Sequence, residues 1–406
     1  MESNSKQSIS SLFTPSMITM MLMVICVGLG EKLAERFLPV YLLAIGGTNF
    51  IVSALNGTDN FLSALYSFPG GYLSDKIGYK KALVVFNIMA MIGFSIVIII
   101  STWWAVILGA VFFLSWTAIS LPAIMDLVST VVGKDRRAMG VSLHSLVRRI
   151  PMALGPIIGG AIIGYYGIVL GVRISFIIAL FLAFIATIAE IYFIKEPPKK
   201  SKAPLRLRET LHNIRPELRT LLISDILIRF AEQIPYAFLA IWAMNYNGIT
   251  SLQFGFLTAI EMTTALLIYI PVAYFADKTQ RKKPFVAITF VFFTIFPTVL
   301  FFSHSFWMFI IAFIVRGLKE FGEPTRKALI MDLAPEDAKA STFGTYYLIR
   351  DIIVSIAAFS AAIFWNINPA TNFFVATGFG VLGVIFFAVY GKDLKQIETE
   401  TVEIEE

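Results

Sequence analysis

Lys32 and Glu35 stand three residues apart inside the apolar stretch GEKLAERFLPVYLLAIGG (30–47). Arg229 and Glu232 repeat that spacing inside LLISDILIRFAEQIPYAFLAIWAMNY (221–246). A base and an acid at i and i+3 share one helix face and can pair. When a substrate competes for the base, the carboxylate can take a proton instead, so the pair is a physical basis for coupling binding to proton movement. Two more acids, Asp59 and Glu261, lie in the apolar stretches that follow each pair. Arg316, Glu320 and Glu323 in RGLKEFGEPTRKALIMD (316–332) have near-helical spacing and form one expected polar stripe, with a kink at Gly322 and Pro324. Lys319 belongs with the inner mouth of that helix, and Arg326 and Lys327 read as its solvated end. Glu31 and Arg36 flank the first pair without counterparts, since Ile228 and Gln233 align there. The plainer alternative for any single charge is a structural salt bridge between helices.

What must position these groups is a membrane protein. The 406 residues are 57% hydrophobic and 15% charged, with a mean hydropathy of +0.77, where a soluble domain carries about a quarter charged residues. The apolar runs are about 20 residues long, enough to cross a bilayer as helices. Twelve spans are expected, near 17–45, 50–73, 82–101, 103–131, 139–165, 172–194, 221–245, 251–275, 284–303, 306–332, 342–366 and 372–391. The first span has to continue past Pro39 to keep the alternation of basic loops. Lys and Arg concentrate in alternate connections, SDKIGYKK, GKDRR, KEPPKKSKAPLRLRETLHNIRPELR, DKTQRKK and PEDAKAS, which places those loops and both termini in the cytoplasm. The net charge of +6 comes from these loops and implies no nucleic acid. A charge at mid-membrane costs at least about 2.5–3.5 kcal/mol, so Glu35, about 15 Å from the outer end of its helix, needs a partner or a cavity.

The chain divides into an N-terminal six-helix half (1–194, with a short cytoplasmic tail, 1–16), a basic cytoplasmic linker (195–219, eight Lys/Arg), a C-terminal half (220–391) and an acidic cytoplasmic tail (392–406). The halves repeat. A shift of 202 residues lays DNFLSALYSFPGGYLSDK (59–76) over EMTTALLIYIPVAYFADK (261–278), pairing Asp59 with Glu261, Pro69 with Pro271 and Asp75 with Asp277. Parallel repeats imply a pseudo-two-fold axis along the membrane normal. The polar N-terminus shows no cleavable signal peptide. The single cysteine, Cys26, forms no intramolecular disulfide, and His144, His212 and His304 are scattered, so no metal or other cofactor is expected. A nucleotide-binding GxxxxGK[ST] loop and a nucleophile–base constellation are both missing from the sequence, and no enzyme activity is expected.

GGYLSDKIGYKKAL (70–83) resembles the signature loop between helices 2 and 3 of the major facilitator superfamily, with Gly71, Leu73, Asp75, Lys76, Gly78, Lys80, Lys81 and Leu83 in matching positions. Tyr79 departs where the family often has arginine. The second copy keeps Asp277 and Lys278 but has Ala273 and Gln280 for the two glycines. The resemblance extends over the whole chain in span number, linker and repeat. It implies an all-α polytopic membrane protein of 12 transmembrane helices in two pseudo-two-fold halves, working as a secondary active transporter by alternating access. It also implies that this loop (Gly71, Asp75, Lys76, Gly78, Lys80, Lys81, Asp277, Lys278) latches the gate, and that helices 1 and 7 line the cavity. Lys32, Glu35, Arg36, Asp59, Arg229, Glu232, Glu261, Arg316, Glu320 and Glu323 are then the substrate-cavity residues, and Glu35, Asp59, Glu232 and Glu261 the proton-coupling candidates.

LGPIIGG (154–160) is similar to the core of the family's antiporter signature (Gly155, Pro156, Gly159, Gly160), although Pro151 stands where a glycine is expected. It tilts the direction of transport toward efflux, and the alternative is close helix packing through small residues. Arg148 and Arg149 are inner-gate residues or cytoplasmic-side charges. EKLAERF also resembles the ExxERF motif of the proton-coupled oligopeptide transporters, but its first glutamate is out of register and the following tyrosine pair is missing. The expected partners are a small charged, zwitterionic or amphipathic solute, protons and the lipid bilayer of the cell membrane, with the chain acting as a monomer. Proton symport and uniport of a polar metabolite are the alternatives, and a non-transporting receptor or scaffold stands behind both.

Overall fold

The computed structural model describes residues 14–114, 116–132, 137–196, 216–279, 282–334 and 339–392. The expected N-terminal tail, basic linker and acidic tail lie almost wholly outside these residues, as does the side chain of Asp277. No strand occurs among the described residues.

Helices occupy each of the twelve expected spans. They are α1 (Pro15–Ala44), α2 (Asn49–Ile77), α3 (Tyr79–Ile99), α4 (Trp103–Phe113 and Trp116–Val132), α5 (Arg137–Tyr166) and α6 (Ile168–Phe193). In the second part of the chain they are α7 (Pro216–Tyr236, continued by Leu239–Tyr246), α8 (Ser251–Thr279), α9 (Lys283–Phe301), α10 (Phe306–Leu318 and Glu323–Leu333), α11 (Lys339–Ile367) and α12 (Pro369–Tyr390). Nine of them, or ten with the bent α7 counted as one span, are long and apolar enough to cross a membrane. The exceptions are α2, which is rich in Asn, Ser and Asp, and α10, whose two segments of 13 and 11 residues are each too short alone.

The interruptions have local causes. Pro39 has no N–H to offer the Glu35 carbonyl, and Leu38 donates there instead, closing a 3-10 turn over Glu35–Phe37 in the middle of α1. In α7, Pro235 precedes a 43° bend between Tyr236 and Leu239. In α10 the helix breaks between Leu318 and Glu323, where Gly322 and Pro324 had suggested a kink. Between α2 and α3 the chain turns at Gly78, whose φ of +91° a side chain would strain.

By Cα proximity the chain forms two compact units, Met1–Gly46 with Leu65–Ala203, and Gly47–Ala64 with Pro204–Glu406. In the first, α1 packs chiefly against α6 and α5, and α3 against α6. A Cβ on Gly159 would fall on the Leu33 carbonyl, and one on Gly155 would come within 2.6 Å of Lys32 Cβ. In the second unit, α7 packs against α12 and α11, and α8 against α10. The repeat had placed 47–64 with the N-terminal half, but these residues group with the second unit. Asn56 and Asn60 of α2 donate to Gln233 of α7 at 3.3 and 3.1 Å, and Gly57 leaves room for Phe359 of α11. A helix of this length, about 44 Å, can pack on different neighbours along its run.

Candidate functional site

In the first unit the charged turn of α1 is built by its neighbours. Gly155 and Gly159 carry no side chain at the contact, so the backbone at Lys32 and Leu33 seats directly on α5 there. The Lys32 ammonium donates to Glu31 at 3.0 Å and also to Glu35. Thr117 of α4 donates its hydroxyl to the other oxygen of Glu31 at 3.3 Å. Glu31, unmatched in the repeat, is only 3% exposed, while Glu35 and Arg36 are half-buried. Beside these groups lies a narrow cleft lined by Glu31 and Lys32 of α1, Trp116 and Ser120 of α4, and His144 and Arg148 of α5. The Ser120 hydroxyl is buried with no hydrogen-bond partner among the described residues.

In the second unit the ion pair of α7 is one link in a longer chain. Arg229 donates to Glu232 at 2.7 Å and approaches Glu323 at 3.6 Å. Lys319 donates to Glu232 at 2.6 Å and lies 3.7 Å from Glu261, which Arg316 meets at 3.0 Å. Arg326 pairs with Glu323 at 2.8 Å and with Asp225 of α7. Asp225 is also reached by Arg350 of α11 at 3.3 Å, by the Tyr346 hydroxyl at 3.1 Å and by Arg229 at 3.8 Å. Four carboxylates (Asp225, Glu232, Glu261, Glu323) thus alternate with five cations (Arg229, Arg316, Lys319, Arg326, Arg350) across α7, α8, α10 and α11. Aromatic rings wall the cations: Arg316 lies 5.3 Å from both Tyr236 and Phe296, and Arg350 4.2 Å from Tyr347. Such contacts suit guanidinium groups removed from water.

Both expected i,i+3 pairs form, and Glu261, Arg316 and Glu323 join the second one. The straight stripe on α10 does not form. The break at 319–322 leaves Glu320 half-buried in the turn and swings Lys319 between Glu232 and Glu261. Asp59 is half-buried, in the part of α2 that groups with the second unit. Arg326, expected at a solvated helix end, is 1% exposed at the centre of the network, because the second segment of α10 turns it toward Asp225. Lys327, 44% exposed, keeps the expected place. Sequence reasoning passed over Asp225, although Asp225, Arg229 and Glu232 at i, i+4 and i+7 share one helix face. Tyr346 carried no local signal, and Arg350 stood out only as the residue that aligns with Arg148 in the repeat.

At the loop between α2 and α3, Asp75, Lys76 and Lys81 are exposed, Gly71 is half-buried, and Lys278 of the second copy is exposed. Glu196, read as linker, accepts from the amides of Tyr79 and Lys80 at 2.7 and 3.3 Å, satisfying the first turn of α3. No cluster of His, Cys, Asp and Glu suited to a metal ion occurs among the described residues.

Twelve helical spans, a duplicated ion pair and charges buried within apolar helices define a multi-pass membrane transporter. The sequence matches the Major Facilitator Superfamily over residues 20–229 and again over 221–403, and the chain belongs to that family. It is 23% identical over 356 residues to an uncharacterised MFS-type transporter of Methanocaldococcus jannaschii, covering 85% of this chain and 87% of that protein. An uncharacterised MFS-type transporter of Bacillus subtilis is 26% identical over 182 residues, 44% of each chain. Among solved structures, the nucleoside transporter NupG superposes with a TM-score of 0.79 at 13% identity, covering 93% of this chain and all of that one. The peptide transporter POT in complex with sulfate gives 0.74 at 16% identity, covering 93% and 94%. At these identities the likeness to solved structures shows the fold.

Proposed function

We propose that the chain is a secondary active transporter that works by alternating access in the cell membrane, as a monomer with both termini cytoplasmic, and that it couples the movement of a small charged, zwitterionic or amphipathic organic solute to protons. The observation that carries this reading is the recurrence of one acid–base pair, Lys32–Glu35 and Arg229–Glu232, near the middle of α1 and of α7. A substrate anion that draws Lys32 or Arg229 away leaves a carboxylate that takes a proton in its place. Clusters holding both signs suit charged solutes better than neutral ones. Export, as opposed to uptake, rests on the resemblance of residues 154–160 to the antiporter signature. The test is a panel of charged solutes offered to proteoliposomes that carry an internal pH dye. At least one solute should move with protons in the wild type, and that coupling should disappear in Glu35→Gln and Glu232→Gln. Full coupled transport in both variants would overturn the proton-site assignment, and solute flux without proton movement would make the chain a uniporter.

A further inference from the structure

Glu190, near the end of α6, takes no part in either charge cluster, yet its side chain is completely buried. Its Oε2 accepts from the amide nitrogen of Asn87 on α3 at 2.9 Å, and the amide oxygen of Asn87 accepts from the indole N–H of Trp116 on α4, also at 2.9 Å. Asn87 and Trp116 are buried too, at 0% and 3% exposed. The other carboxyl oxygen of Glu190, Oε1, has no hydrogen-bond partner among the described residues. The charged group facing it is Lys80 of α3, whose ammonium donates to the Ile191 carbonyl at 2.7 Å, and no ion pair joins the two among the described residues. Of the other titratable groups at this end, Tyr79 of α3 donates its hydroxyl to the Lys195 carbonyl and its amide to Glu196, and Asp126 of α4 faces Tyr79. From α1 comes the uncharged Ser16, whose hydroxyl donates to the Phe193 carbonyl, and α5 brings no charged partner to Glu190 among the described residues.

A buried carboxylate with one amide donor and no ion pair is costlier than a neutral acid with one unsatisfied hydroxyl, so such a group takes up a proton. The amide of Asn87 is fixed from both sides, donating to Glu190 and accepting from Trp116. Trp116 in turn forms part of the cleft wall beside Glu31 and Lys32. We propose that Glu190 is a further proton-binding residue, protonated in this arrangement, and that Asn87 relays its protonation state to Trp116 at the cleft. Loss of the proton would leave a carboxylate that needs more donors, drawing Asn87 toward it and loosening its hold on the indole. Glu190 is thus a positioning residue. Its part in transport rests on the proton-coupled reading above, whereas its protonation does not.

The experiment uses the full chain in lipid nanodiscs. Infrared spectra at neutral pH should show a buried carboxylic-acid carbonyl band that disappears in Glu190→Gln and shifts in Glu190→Asp. A tryptophan-fluorescence pH titration should show a transition that is missing from both Trp116→Phe and Glu190→Gln. An acid band that survives Glu190→Gln unchanged, or a Trp116 transition that persists in that variant, would overturn the proposal. If the band and the transition behave as expected while proteoliposomes show no proton coupling, the proposed function fails and the protonation of Glu190 stands.

Discussion

The charged turn of α1 and the network around α7 begin from the same motif and end differently. On α1 the Lys32 ammonium serves two carboxylates, Glu31 and Glu35, at the edge of a cleft. Around α7 each carboxylate meets at least two cations, and Asp225 meets three. Similar helix-face spacing therefore yields either a small adaptable cluster or a closed one, depending on what the neighbouring helices supply: Thr117 and Ser120 from α4 in one case, five cations from α7, α10 and α11 in the other. A closed network is strained by losing any one member, because the remaining charges stay buried without compensation. A small cluster beside a cleft can exchange partners at lower cost, which suits recognition.

That contrast can be broken at Asp225. Replacing it in Asp225→Leu leaves Arg326, Arg350 and Tyr346 without their common acceptor, and should cost about 3–5 kcal/mol, seen as a large fall in melting temperature or loss of monodisperse protein in detergent. Tolerance of this change would mean that the network is not closed in the sense argued. The seating of α1 on α5 comes next. Gly159→Leu would drive a side chain into the Leu33 backbone and should destabilise by about 1–3 kcal/mol, with coupled transport lost in the protein that still folds, as measured by thermal unfolding alongside proteoliposome flux. The smallest effect is expected at the cleft itself. Glu31→Gln still accepts from Thr117 and leaves Lys32 its bond to Glu35, so stability should change by only about 1 kcal/mol while the apparent affinity for solute shifts. A stability loss as large as that of Asp225→Leu would erase the distinction between the two clusters.

The motif itself could be read directly. Lys32 and Glu35, like Arg229 and Glu232, pair because three residues make just under one helical turn, a relation that needs no tertiary information. The break in α10 was legible in Gly322 and Pro324, but its consequence was not: Arg326 looked like a solvated helix end and is instead the most buried cation of the network. Its partner Asp225 lies on another helix far away in sequence, and no periodicity connects them.

Composition and local spacing alone therefore determined the membrane class, the twelve spans, the repeat and the two acid–base pairs, because hydrophobic run length and helical period are properties of contiguous sequence. Only the tertiary structure decided which charges close into a network and which border a cleft, that 47–64 pack with the second unit, and that Glu190, Asn87 and Trp116 form one chain. Those outcomes depend on which helices lie side by side and how closely their glycines let them approach.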